Sequence, residues 1–151
     1  ASGAFTYEGG AIATTQALST AQIDLTGVTI LDGSGLSRSN LASAKSLVSA
    51  LSYANSSNGA AWANLSGLPV AGISGTLVNR YGLGEPGRGT VRAKTGTLSR
   101  VAALSGTLVD ASGDLLIFTF IANDIPSSPR QGAAALDEVV KVLAQCGCRT
   151  P

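Results

Sequence analysis

The sequence predicts an α+β fold: helices come first, an antiparallel sheet follows, and a last helix covers the sheet. Three observations lead to this order. Helical spacing of apolar residues dominates the first part of the chain. Three strand-like runs follow a loop rich in glycine and proline at residues 83–89. An amphipathic helical pattern then occupies residues 133–144. The chain has 151 residues, 44% of them apolar and 13% charged, which is enough for one domain with a buried core.

In the first half of the chain, the sequence pattern predicts two helices with a turn-rich loop between them. Residues 11–22 are rich in alanine and show helical periodicity, and residues 28–31 form a short β-branched run. Residues 32–40 contain the glycine, serine and asparagine of a loop. A second helix is predicted over residues 41–54 with Asn40 or Ser39 as its cap.

A short helix is predicted at residues 61–65, with Trp62 as an anchor in the core. Strands are predicted over residues 90–98, 101–109 and 115–122. Only Ser99 and Arg100 separate the first two strands, so these should be antiparallel neighbours.

Residues 110–114 are expected to form the hairpin turn between the second and third strands. In the last helix, four side chains spaced at i, i+3, i+4 and i+7 should lie on the sheet: Leu136, Val139, Val140 and Leu143. An Asp137–Lys141 pair should give weak i,i+4 support on the opposite face.

The run Lys94-Thr95-Gly96, at the end of the first predicted strand, is the most informative motif. A lysine at the edge of a cleft supplies positive charge for a carboxylate, and the Thr95 hydroxyl adds a directional hydrogen bond. Gly96 lets a substrate backbone lie along the strand, and the N–H of Thr97 can point at a developing oxyanion. Strict alternation puts Lys94 and Thr95 on opposite faces, so Thr95 reaches a ligand only from an edge strand or a twisted strand end.

Composition excludes several other chemistries. The chain has no histidine, which removes Ser-His-Asp and Cys-His catalysis unless another chain supplies the residue. Two cysteines, Cys146 and Cys148, are too few for a zinc site without distant partners, and no cofactor is indicated. These cysteines are consistent with an oxidising compartment, and could pair with each other or with cysteines elsewhere.

Residues 80–100 carry a net charge of +4, whereas the remaining residues sum to −3. This patch is small for nucleic acid, and aromatic residues make up only 5% of the chain, so no nucleic-acid partner is expected. The local charge suits a small anion such as a carboxylate.

Three runs together carry a resemblance to a known family: Asp32-Gly-Ser-Gly-Leu-Ser-Arg38, Leu68-Pro-Val-Ala-Gly72 with Gly75-Thr-Leu77, and Arg92-Ala-Lys-Thr-Gly-Thr97. On these runs the chain resembles the C-terminal part of bacterial D-alanyl-D-alanine carboxypeptidases of the penicillin-binding-protein type. The resemblance implies a β-lactamase/transpeptidase-like fold and a serine acyl-enzyme mechanism. The implied substrate is a peptidoglycan stem peptide ending in D-Ala-D-Ala, and β-lactams would acylate the same serine. The implied location is outside the cytoplasm.

The resemblance also implies roles for individual residues. Lys94 and Thr95 would hold the terminal carboxylate, Gly96 completes the triplet, and Thr97 would assist and complete the oxyanion hole. The pocket for the peptide side chain would be lined by Ser34, Leu36 and Arg38, with Leu98 and Ser99 just beyond the triplet.

No Ser-x-x-Lys motif occurs, because the residues three places before the three lysines are Ala42, Val91 and Glu138. Ser56-Ser-Asn58 matches Ser-x-Asn only formally, since the family places that motif before the Asp-Gly-Ser-Gly loop. We therefore expect residues 1–151 to be the C-terminal portion of a penicillin-binding transpeptidase-like domain. The nucleophile would lie on an upstream N-terminal segment of the same protein. Alone, residues 1–151 should be catalytically silent and poorly soluble.

Two other functions fit the same residues. One is a β-lactamase or related serine acyl-hydrolase, which the 32–38 loop disfavours. The other is a non-catalytic module that kept the fold and the carboxylate pocket.

Overall fold

The computed structural model describes residues 6–56, 63, 65–126 and 128–147. The chain divides into two compact units, residues 1–53 and 54–151, and each is described by itself. Within the described residues, none of the helices is both long enough and apolar enough to cross a bilayer.

The first unit contains helix α1, Tyr7–Thr20, which begins four residues before the predicted start. The earlier start arises because the Thr6 side chain accepts a hydrogen bond from the Gly9 N–H and so caps the first turn. Helix α2, Ala44–Ser56, begins later than predicted. Its first turn is satisfied by Ser43, whose hydroxyl accepts from the Ser46 N–H.

Asn40 is part of the preceding loop and is not the predicted helix cap. Its side-chain oxygen accepts from the Leu31 N–H at 2.8 Å, and its amide nitrogen donates to Asp32 at 3.2 Å. The β-branched run at 28–31 forms one isolated antiparallel bridge, between Thr29 and Leu41.

The second unit is built on an antiparallel sheet of β1 (Arg92–Leu98), β2 (Val101–Val109) and β3 (Leu115–Ala122), in the order β1-β2-β3. The register pairs Leu98 with Val101, as the two-residue connection predicts. The 110–114 turn is confirmed: the Asp110 side chain accepts from the N–H groups of Ser112 and Asp114 at 2.8 and 2.9 Å.

Helix α3, Pro129–Gln145, packs across one face of this sheet, which confirms the predicted covering helix. It begins earlier than predicted because Ser128 and Gln131 form a reciprocal capping box ahead of it. Val140 is fully buried in a core that also contains Ala93, Leu104, Leu108 and Phe118.

Two details predicted for α3 are wrong. Val139 is 44% exposed, so the sheet-facing row consists of Leu136, Val140 and Leu143. Asp137 does not pair with Lys141 on an outer face: it is buried and binds Arg80, which reaches the helix from a distant loop.

Some predictions fall wholly or partly outside the described residues. Trp62 and Cys148 are among these, and of the predicted 61–65 helix only Ala63 and Leu65 are described, both helical. Leu65 is buried. Cys146 is disulfide-bonded.

Candidate functional site

The outer edge of β1 is the first part of the site. Since β2 is the central strand, β1 has β2 on one side only. On its other side, the Ala93 N–H donates to the Pro69 carbonyl at 3.0 Å, and the Ala71 N–H donates to the Val91 carbonyl at 3.0 Å. In an antiparallel strand, the N–H and C=O groups of successive residues point to opposite sides, and those of every second residue point to the same side. Those of Thr95 and Thr97 therefore point, like the N–H of Ala93, away from β2.

The 69–71 segment covers only the beginning of this edge. Its last bond to the strand is at Ala93, and no described strand pairs with the edge beyond it. The outward N–H and C=O groups of Thr95 and Thr97 are thus presented where an extended peptide could add as a further strand. The N–H of Thr97 thus faces the open side of the strand.

Lys94 lies on the face of β1 opposite to α3, together with Arg92. Its side chain is exposed and its Nζ donates to the Thr95 carbonyl at 2.7 Å. The ammonium group therefore reaches the edge of the strand although its Cβ points from the sheet face. The positive charge of Lys94 and the outward-facing backbone groups of Thr95 and Thr97 therefore lie at the same edge of β1.

Thr95 lies on the other face of the strand, as alternation requires, and is partly buried. Its hydroxyl is 3.1 Å from the Thr76 hydroxyl. Because β1 is at the edge of the described sheet, this side chain is also accessible from the strand's open side. Thr95 therefore lies on an edge strand, one of the two positions from which the sequence analysis allows it to reach a ligand.

Gly96 lies close to the neighbouring strand. A Cβ at this position would lie 3.2 Å from the Cβ of its cross-strand partner Ala103. A side chain here would therefore require Ala103 to give way by a few tenths of an ångström.

The last two predicted residues lie at the β1–β2 connection. Leu98 ends the strand and is partly buried, and Ser99 stands in the turn, where it is exposed. Arg100 takes a left-handed conformation with φ of 63°, and its carbonyl accepts from the Ile125 N–H. Its ion pair with Asp124, at 3.6 Å between exposed groups, adds little stability.

The predicted pocket loop, residues 32–38, belongs to the first unit. Asp32 organises it by accepting from the N–H groups of Gly35 at 2.6 Å and Ser37 at 2.8 Å. Burial raises the pKa of the Asp32 carboxyl, but hydrogen bonds from Asn40, Ser37, Gly35 and Ser34 outweigh it, so the pKa lies below its ordinary value.

Three side chains of this loop, Ser34, Leu36 and Arg38, point to its surface. All are exposed, and Leu36 is 71% exposed. These residues and those of β1 belong to different compact units.

A family model described as "D-Ala-D-Ala carboxypeptidase 3 (S13) family" matches residues 1–146. The chain belongs to this family. A carboxypeptidase of Mycobacterium tuberculosis is 37% identical over 148 residues, which cover 95% of this chain and 32% of the relative. A D-alanyl-D-alanine carboxypeptidase of Actinomadura sp. is 38% identical over 156 residues, covering 99% of this chain and 28% of the relative.

Solved structures of penicillin binding protein 4 from Haemophilus influenzae share the fold. One matches with a TM-score of 0.79 at 29% identity, covering 89% of this chain and 31% of that chain. A second, a complex with a β-lactam, matches with a TM-score of 0.77 at 28% identity, covering 90% and 34%. The predicted β-lactamase/transpeptidase-like fold is thereby confirmed. The chain spans about a third of the length of the relatives it matches.

Sequence reasoning missed the role of the loop that carries Thr76 in this member of the S13 family. Gly75-Thr-Leu77 contributes to the family resemblance, and in the structure it forms a 3₁₀ turn beside β1. Farther along the loop, Arg80 donates from Nε and Nη2 to the two carboxylate oxygens of Asp137 at 2.8 and 2.6 Å. This bidentate pair holds the loop to α3.

The positive charge of residues 80–100 is divided among separate places. Arg80 is engaged by Asp137, and Arg88 donates to the Tyr81 carbonyl at 2.7 Å. Arg92 and Lys94 remain exposed on one face of β1. Two of the five positive charges therefore lie side by side on the strand that carries the candidate site. Within the described residues, no three histidine, cysteine or acidic side chains are grouped as a metal site would require.

Proposed function

We propose that the protein is a serine-type D-Ala-D-Ala carboxypeptidase, with endopeptidase activity on peptide cross-links as an extension of the same chemistry. The observation that carries this proposal is the open edge of β1, where Lys94 and the outward N–H groups of Thr95 and Thr97 converge. Membership of the S13 family supports the reaction class.

In this proposal a stem peptide ending in D-Ala-D-Ala lies along the edge of β1. The Lys94 ammonium and the Thr95 hydroxyl bind its terminal carboxylate, and the N–H of Thr97 stabilises the oxyanion. A serine outside these residues attacks the carbonyl of the penultimate D-alanine, the terminal D-alanine leaves, and water hydrolyses the ester. Penicillins, which also present a carboxylate beside a reactive carbonyl, would acylate the same serine.

We propose the exposed side chains of the 32–38 loop, with Leu98 and Ser99, as contacts for the peptide side chain. The attacking serine and its lysine are placed on an upstream segment, since no Ser-x-x-Lys occurs in residues 1–151. The greater length of the relatives supports that division. Because peptidoglycan is outside the cytoplasm, the protein should act there, and an export signal at the start of its gene would agree.

The test uses the full-length protein with a fluorescent penicillin and with a D-Ala-D-Ala peptide. We expect covalent labelling, release of D-alanine, and an acylated tryptic peptide from outside residues 1–151. Rapid turnover of penicillin without release of D-alanine would instead favour a β-lactamase. Absence of label and of turnover would favour a non-catalytic module.

Lys94→Ala tests the carboxylate site itself. Losing a charge-assisted hydrogen bond should slow acylation roughly tenfold or more. Arg92→Ala is the matched control, because it removes an equal charge from the same face of the same strand. Equal losses in the two variants would show that Lys94 acts only through general positive charge and would contradict its proposed role.

A further inference from the structure

The hydroxyl of Thr76 is hydrogen-bonded to a side chain of the Lys-Thr-Gly run, that of Thr95. It lies 3.1 Å from the Thr95 hydroxyl although the two residues are 19 positions apart. Both groups are at the open edge of β1, and Thr76 itself is exposed. The contact is therefore made where the proposed carboxylate would bind, away from the hydrophobic core.

The scaffold around Thr76 fixes the position of this hydroxyl. On one side, Gly75 has φ of +56°, and a Cβ there would lie 2.9 Å from the Pro69 ring, so the backbone passes close to the segment that pairs with β1. On the other side, Leu77 is fully buried, and its carbonyl accepts from the Gly72 N–H at 2.9 Å. Anchors on both sides leave Thr76 little freedom to move relative to Thr95.

A threonine hydroxyl has one proton to donate and lone pairs to accept. In the structure, the Thr95 hydroxyl donates to Thr76. To bind a carboxylate, Thr95 must turn that proton toward the ligand. Its oxygen can then accept from Thr76, so the pair keeps a hydrogen bond in both states. Donation by Thr76 also polarises the Thr95 hydroxyl and strengthens its bond to the anion.

We propose that Thr76 is a positioning residue that acts through Thr95 in binding the carboxylate of substrates and β-lactams. This inference rests on the proposed function. It assigns a role to the turn at Gly75–Leu77, which delivers a second hydroxyl to the edge of β1.

The test measures the second-order rate constant of acylation by a fluorescent penicillin in the full-length protein. Thr76→Val keeps the shape and removes the hydroxyl, and should lower the constant roughly three- to tenfold, as for the loss of one hydrogen bond. Thr76→Ser restores the hydroxyl and should recover most of the rate. Ser74→Ala is the matched control: it removes a hydroxyl from the same loop, where Ser74 accepts from the Val70 N–H and does not bind Thr95.

A double-mutant cycle with Thr95→Val separates positioning from a general effect on the loop. If Thr76 acts through Thr95, adding Thr76→Val to Thr95→Val should change the rate little further. The inference would be overturned if the losses of the two single variants multiplied in the double variant, or if Thr76→Val left the rate unchanged. It would also be overturned if Thr76→Ser did not restore the rate, or if Ser74→Ala lowered it equally. A wild-type protein that takes no label would remove the proposed function, and this inference with it.

Discussion

Two loops carry candidate site residues, and they are held by different means. In the 32–40 loop, the partly exposed carboxylate of Asp32 accepts hydrogen bonds from two backbone N–H groups and from the side chain of Asn40. The 69–80 loop is held by backbone bonds to β1, by the fully buried Leu77, and by the Arg80–Asp137 pair. The first depends on a charge near solvent and the second on burial, so they should respond differently to mutation and to pH.

The largest effect should come from the ion pair that anchors the 69–80 loop. Asp137→Asn keeps the size of the side chain but leaves the Arg80 side chain, only 20% exposed, without its carboxylate. We expect the free energy of unfolding to fall by about 3 kcal/mol, because the remaining buried charge loses its partner. Urea denaturation followed by circular dichroism measures this loss.

Glu138→Gln is the control for Asp137→Asn. It removes a neighbouring carboxylate of the same helix that is 72% exposed and paired with Lys141. Its cost should stay below about 1 kcal/mol. Similar losses in the two variants would mean that the Arg80–Asp137 pair does not anchor the loop more strongly than a surface pair.

A glycine from each loop gives a second comparison. Gly72 and Gly35 both have positive φ, 69° and 76°, so alanine costs roughly 1–2 kcal/mol of backbone strain at either position. A Cβ on Gly35 would meet nothing within 4 Å, whereas one on Gly72 would overlap the Arg88 guanidinium and the Tyr81 carbonyl. Gly72→Ala should therefore lower the melting temperature further than Gly35→Ala, with about 1 kcal/mol more destabilisation. Equal shifts would disprove the tighter packing of the second loop.

The same contrast explains what could be predicted from the sequence. The sheet and α3 were predictable because alternation and helical spacing are local patterns, and Lys94 to Thr97 form a contiguous motif. The 69–80 loop has no such pattern. Its structure comes from the Thr76–Thr95 contact and from an ion pair between residues 57 positions apart.

Errors at the helix boundaries have a related cause. Asn40 was a plausible cap by residue type, but its side chain is used by Leu31 and Asp32, so Ser43 satisfies the first turn of α2. Residue type identifies the groups able to cap a helix. Which of them does so depends on competing partners elsewhere in the chain.

The smallest effect should be a pH dependence confined to the 32–40 loop. The pKa of Asp32 is lowered from 3.8, so the folded state binds this proton less readily than the unfolded state. Its contribution to stability is then present above the ordinary pKa and is lost as pH falls through the lower, folded value. The amide protons of Gly35 and Ser37, which donate to this carboxylate, should shift together in an NMR titration with a midpoint below 3.8. The amide proton of Ala93 donates to the backbone carbonyl of Pro69 in the 69–80 loop. Its chemical shift should not change with this titration. A midpoint at or above 3.8 would mean that the hydrogen bonds to Asp32 do not outweigh its partial burial.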